Sequence, residues 1–79
     1  MARVLMFGAL QDLAGWRARD IDVATLSGLK SLLAGEDAGL GERLSGPGVF
    51  AVVNQTMARG DLALSPDDEV AFVPPVSGG

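Results

Sequence analysis

The sequence predicts an α+β domain in which a mixed sheet of four to five strands packs on one main helix, with short helices beside it. Three observations lead there. Compact apolar runs bounded by turn residues occur near both ends and past the middle, as RVLMF, VFAVVNQ and EVAFV. A leucine repeat at helical spacing runs through TLSGLKSLLAG. The order is strand, strand, helix, strand, short segment, strand, and one helix laid on the sheet is the economical way to bury both apolar faces.

The elements follow from local chemistry. RVLMF, residues 3–7, is apolar and stopped by Gly8; alternation puts Val4 and Met6 on one face, Leu5 and Phe7 on the other. In residues 9–15, Leu10 and Leu13 lie three apart, as in a short helix that Gly15 ends. RARDIDV, residues 17–23, alternates Ile21 and Val23 with Asp20 and Asp22, which suits a half-solvated strand. Thr25 stands where its hydroxyl accepts from a free N–H of the next helix, and Leu26, Leu29, Leu32 and Leu33 give that helix one apolar face, with Gly35 as its stop. Residues 36–48 are turn-rich and hold one short helical turn around Leu40 to Leu44. VFAVVNQ, residues 49–55, is the strongest strand, and Asn54-Gln55 opens a turn. Pro66-Asp67-Asp68 is a second turn, and EVAFV, residues 69–73, is the last strand, ended by Pro74 because proline cannot donate to a ladder. Residues 1–73 therefore read as the folded domain and 74–79 as a C-terminal tail, PPVSGG.

Composition narrows the function. At 79 residues the chain is one domain, and its 48% hydrophobic content is enough for a core. A net charge of −4 and a pI of about 4.4 argue against nucleic acid and against anionic membranes as partners. The absence of cysteine removes thiolate metal sites and cysteine nucleophiles, and the absence of histidine removes the usual general base, so no metal site is expected. RVLMFGAL is shorter than an ordinary signal peptide, and no apolar run approaches the about 20 residues of a membrane span; the expectation is a soluble cytoplasmic domain.

No catalytic constellation emerges. Ser27 and Ser31 lie near Lys30, but all three fall on the predicted helix and read as its solvated face. Asp67, Asp68 and Glu69 read as a turn and strand entry rather than a metal site, and Asn54-Gln55-Thr56 as a turn rather than a glycosylation acceptor. Trp16 reads either as a binding aromatic or as a cap on the core edge. The chemistry left over is that of the tail. A terminal stub is ordinarily frayed. Here, however, Ser77, Gly78 and Gly79 are small enough for a narrow channel and leave the last carbonyl unshielded, while Pro74 and Pro75 stiffen the base. Residues 74–79 span at most ~20 Å, enough to enter another protein's active site. A carboxylate is a poor acyl donor until a partner converts it to an acyl adenylate with ATP.

VNQ followed by LSPDDEVAFVPPVSGG, with the opening VLMFGALQDLAG, resembles the small sulfur-carrying subunits of molybdopterin synthase, the MoaD type of the MoaD/ThiS ubiquitin-like family. The specific parts are residues 53–55, 68–72 and 74–79; the stretch AGEDAGLGERLSGPG matches poorly. The resemblance implies a ubiquitin-like β-grasp fold and a non-catalytic subunit that carries sulfur for molybdenum cofactor biosynthesis. It implies that an E1-like adenylyltransferase activates the Gly79 carboxylate with ATP and that a sulfur donor converts it to a thiocarboxylate. The large synthase subunit, in a heterotetramer, would then accept Pro74, Pro75, Val76, Ser77, Gly78 and Gly79 and move the sulfur onto cyclic pyranopterin monophosphate. No permanently bound cofactor is implied; ATP belongs to the activating partner. Alternation turns Phe7 and Val73 away from the core face, and the resemblance implies that the first and last strands lie side by side with Met57 near the same surface, so that Phe7, Met57 and Val73 form one apolar partner-binding patch at the root of the tail, whereas the opposite register would bury Phe7. Two other carriers share the tail chemistry, a thiamine-type sulfur carrier and a ubiquitin-like protein modifier. A plain interaction domain with a frayed tail is the third alternative.

Overall fold

The computed structural model describes residues 1–75. Its elements are β1 (Ala2–Met6), α1 (Ala9–Ala14), β2 (Ala18–Ile21), α2 (Leu26–Glu36), α3 (Ala38–Leu44), β3 (Phe50–Val53), β4 (Thr56–Met57) and β5 (Glu69–Val73). The five strands form one sheet in the order β2-β1-β5-β3-β4. The first and last strands pair in parallel at its centre, with Val4 opposite Val70 and Met6 opposite Phe72. The remaining pairings are antiparallel.

Alternation decides which face is covered. Val4, Met6, Ile21, Ala51, Val53, Val70 and Phe72 are buried, and they pack with Leu10 of α1, Leu26, Leu29 and Leu33 of α2, and Leu40 and Leu44 of α3. The helices thus lie on one side of the sheet, as the apolar stripe of α2 requires. Thr25 caps α2 as expected, its Oγ1 accepting from the Gly28 N–H at 3.0 Å. A second cap comes from far along the chain: Asp61 accepts from both the backbone N–H and the hydroxyl of Ser27, each at 2.8 Å. Ser27 is therefore engaged in holding the helix start.

The glycine-rich middle differs from its reading. Gly35 does not stop α2, which runs to Glu36 and ends at Asp37. A full helix α3 follows in place of a single turn, because Asp37 turns the chain and then caps the new helix by accepting from Leu40 N–H at 3.2 Å. The α2–α3 corner is tight: Gly41 is buried, and a Cβ there would lie 2.4 Å from the Cβ of Ala34. The strands are also shorter than read. Residues 54 and 55 are not the end of β3 but the two-residue loop of a hairpin, with φ of 50° and 68°, between the paired Val53 and Thr56. Phe7 lies just past the end of β1, and β2 is trimmed to four residues.

Candidate functional site

Among the described residues, no helix covers the opposite face of the sheet, which is bare. Across the bare face the register aligns side chains in rows. Leu5 pairs with Ala18 on one side and Ala71 on the other, Ala71 pairs with Val52, and Val52 with Met57, so one apolar row crosses all five strands. The next row toward the end of β5 places Phe50 opposite Val73. Phe7 extends it, for its N–H donates to the Phe72 carbonyl at 3.2 Å. The row on the other side is charged, with Arg3 opposite both Glu69 and Asp20. Along β5 the bare face therefore grades from charge at Glu69 to apolar surface at Val73, where the chain passes into Pro74 and Pro75.

Phe7 is 44% exposed, Phe50 46% and Met57 50%, while Leu5, Val52, Ala71 and Val73 are half-buried. Phe7 is not in the core, so the register that would have buried it is not the one adopted. Phe7 and Val73 share the row beside the tail, and Met57 lies on the edge strand diagonal to Phe50. The three residues singled out from the sequence thus fall on one face, but Phe50 and Val52 join them. Sequence reasoning passed over Phe50; counting alternation back from the buried Val53 turns it outward, and that signal was available.

At the tail, Pro74 is half-buried and Pro75 exposed, and Pro75 forms one wall of a cleft shared with Pro47, Val49, Glu42 and Arg43. Val76, Ser77, Gly78 and Gly79 lie outside the described residues.

Of the polar residues considered for chemistry, Ser27, Asn54 and Asp68 have structural partners. Asp68 takes the Ser65 N–H at 2.7 Å and the Asn54 side-chain amide at 2.8 Å, and these bonds, the Ser65 one foremost, hold its carboxyl below the usual range. Asn54 returns its carbonyl oxygen to the Glu69 N–H at 2.9 Å, so the sequon asparagine locks the hairpin loop to the start of β5. The bonds from Ser27, first its backbone N–H, likewise lower the Asp61 pKa. Trp16 packs against the core edge with the Arg19 guanidinium 5.5 Å from its ring centroid. Arg19 in turn makes a two-pronged pair with Glu36 at 2.7 and 2.8 Å, which lowers the Glu36 pKa and raises that of Arg19. Among the described residues, no group of three or more Asp and Glu side chains is arranged to hold a metal ion, and no helix is long and apolar enough to cross a membrane.

A search of protein families matches residues 4–79 to the ThiS family. The chain belongs to that family. Its type is the small ubiquitin-like sulfur carrier of the MoaD/ThiS kind, with a β-grasp fold. Among curated proteins, ThiS-family similarity extends to the molybdopterin synthase sulfur carrier subunit of Escherichia coli strain K12, 36% identical over 81 residues and covering 100% of both chains. Among solved structures, SAMP1 from Haloferax volcanii superposes with a TM-score of 0.85 at 30% identity, covering 99% of this chain and 98% of that one. The small archaeal modifier protein 1 from Methanosarcina acetivorans reaches a TM-score of 0.86 at 20% identity, covering 99% and 95%, and supports the fold alone.

Proposed function

We propose that this chain carries sulfur on the carboxylate of Gly79 for molybdopterin synthesis. The observation that carries the reading is the full-length similarity to the Escherichia coli sulfur carrier subunit, within a family match that runs through residue 79. The Gly79 carboxylate attacks the α-phosphorus of ATP on an E1-like adenylyltransferase, and pyrophosphate leaves. A sulfur nucleophile then attacks the acyl carbon and expels AMP. Delivered as sulfide, it gives the thiocarboxylate directly; delivered as a persulfide, it gives an acyl disulfide that a thiol must reduce. In the large synthase subunit the thiocarboxylate sulfur bonds to a carbon of cyclic pyranopterin monophosphate as that carbon's bond to oxygen breaks and the oxygen leaves on phosphate or as water, and a further water cleaves the acyl–sulfur bond to return the carboxylate. Two such transfers make a dithiolene.

The chain's own part is to dock and to deliver. A bare apolar face beside the tail suits docking on the large subunit and on the adenylating enzyme, because a monomer gains nothing by exposing Phe7, Phe50 and Met57 together. The test is intact mass. Incubation with the adenylating enzyme, ATP and a sulfur source should raise the mass by one sulfur-for-oxygen exchange per chain, and a variant lacking Gly79 should show none. Sulfur elsewhere on the chain overturns the reading.

A second reading has its own support. The Haloferax volcanii SAMP1 that this chain resembles is by name a small archaeal modifier protein, and an adenylated Gly79 carboxyl is open to attack by a lysine amine as well as by sulfur. Covalent adducts of lysine side chains with Gly79 in cells would establish it.

A further inference from the structure

The tail root is seated between two loops. Gly8, between β1 and α1, has φ of 56° and ψ of −135°, and Gly48, between α3 and β3, has φ of 84°. A Cβ on Gly8 would lie 3.0 Å from Cγ of Pro74, and a Cβ on Gly48 would lie 2.8 Å from Cβ and 3.3 Å from Cγ of Pro75. From these contacts we infer that Gly8 and Gly48 are positioning residues, which form a slot for the two proline rings and so set the direction in which the chain leaves the domain.

Two features distinguish the slot from ordinary turn chemistry. The first is an internal comparison. Gly15 has the same φ of 84°, yet among the described residues nothing lies within 4 Å of its would-be Cβ. Positive φ alone therefore accounts for glycine at 15, whereas Gly8 and Gly48 also meet the tail root, one on each proline. The second is the nature of the contacted residues. A proline ring is closed on its own backbone and cannot swing aside by a rotamer change. A methyl group at position 48 must therefore move either its own loop or the main chain at Pro75. The slot does little for the core, since Pro75 is exposed and Pro74 half-buried. Its consequence is a pre-aimed root, which lowers the freedom lost when a partner takes the tail. The inference rests on the sulfur-carrier reading only in saying what the aim is for.

The experiment compares Gly48→Ala, Gly8→Ala and Gly15→Ala in the full chain. Thermal unfolding measures the backbone strain that all three share. Nuclear Overhauser contacts of the Gly8 and Gly48 α-protons with Pro74 and Pro75 report the slot, and pyrophosphate release with the adenylating enzyme reports delivery. We expect Gly15→Ala to lower the melting temperature and leave kcat/KM unchanged. Gly48→Ala should lower kcat/KM on the order of tenfold to a hundredfold, as a misplacement of about 1 Å does, with Gly8→Ala smaller because its contact is looser. In a Pro75→Gly background, Gly48→Ala should cost nothing more, since the clashing atoms are gone. Equal kcat/KM for the Gly48 and Gly15 variants, or an equal loss with and without Pro75, overturns the slot. Absence of the Gly8–Pro74 and Gly48–Pro75 contacts in the unmodified chain also overturns it. Failure of the unmodified chain to be adenylated would instead overturn the sulfur-carrier reading, and the contacts would still decide the slot.

Discussion

Phe72 and Phe50 belong to adjacent strands of one sheet and have opposite fates. Phe72 is fully buried under the helices, while Phe50, next to its partner Ala51, is 46% exposed on the other side. The difference is one step of strand alternation. It teaches that this domain spends its apolar residues on two surfaces, one that makes the fold and one left bare beside the tail. If that division is right, truncations on the two faces should separate cleanly into loss of stability and loss of association. The largest effect belongs to the covered face. Phe72→Ala should destabilise by about 3–5 kcal/mol, a large fraction of what so small a domain has. Denaturant unfolding should show a variant largely unfolded at room temperature; a loss below about 1 kcal/mol would mean that Phe72 is not the core's centre.

On the bare face the same truncation should act elsewhere. Phe7→Ala should weaken binding to the large subunit and to the adenylating enzyme by about 2 kcal/mol if Phe7 anchors the interface, with little change in unfolding. Phe50→Ala sharpens the comparison, because Phe50 lies opposite Val73 in the row that Phe7 extends. Calorimetric titration of both variants checks whether the patch extends across β3. Destabilisation of Phe7→Ala by several kcal/mol would merge the two faces into one core and end the division.

The sequence carried much of this and concealed the rest for definite reasons. The long strands, the capped leucine helix and the alternation that faces Phe7 away from Val4 and Met6 all depend on local periodicity, and these were legible. Of helix α3 only the turn around Leu40 to Leu44 was legible, because Gly35, Gly39 and Gly41 imitate a loop. The approach of Gly41 to Ala34 that makes glycine necessary there is a tertiary fact. The two-residue strand β4 is too short to show a period. The seats of Pro74 and Pro75 are invisible for the same reason as Gly41: Gly8 and Gly48 meet them only after β1, β3 and β5 have come together.

The covered face is only as firm as the helix that covers it. Thr25→Ala removes the hydroxyl cap of α2 and should cost about 1 kcal/mol, read as a lower denaturation midpoint with an unchanged slope. Asp61 adds a pH dependence to the same helix start. Its carboxyl is held below the usual range by Ser27, as that of Asp68 is by Ser65 and Asn54. A lowered folded-state pKa means that the unfolded chain binds protons first as the pH falls. The stabilisation is therefore complete above about pH 4, the ordinary aspartate range, and is lost as the pH drops through the folded-state value. Asp61→Asn should flatten that acid limb. An acid limb identical to that of the unmodified protein would show that the contact with Ser27 contributes nothing.

The smallest effect tests whether charge helps the bare face find its partners. After Arg59 the chain has four acids, Asp61, Asp67, Asp68 and Glu69, and no base. Two of them, Asp61 and Asp68, bond to neutral N–H and O–H groups, and these bonds keep both carboxylates ionised, so the negative field of this end survives the folding. Glu69 stands opposite Arg3 at the far end of the face from the tail. The paired residues of the two rows proposed to dock, Ala18, Leu5, Ala71, Val52 and Met57 in one and Val73 and Phe50 in the other, are uncharged, so salt should act on encounter and not on the bound contact. Association rates should fall as ionic strength rises, with dissociation rates nearly constant. Stopped-flow mixing at low and physiological salt measures both. An association rate indifferent to salt would assign the acids to solvation alone. A dissociation rate that climbs steeply with salt would place ion pairs inside the proposed interface and count against docking through the apolar rows.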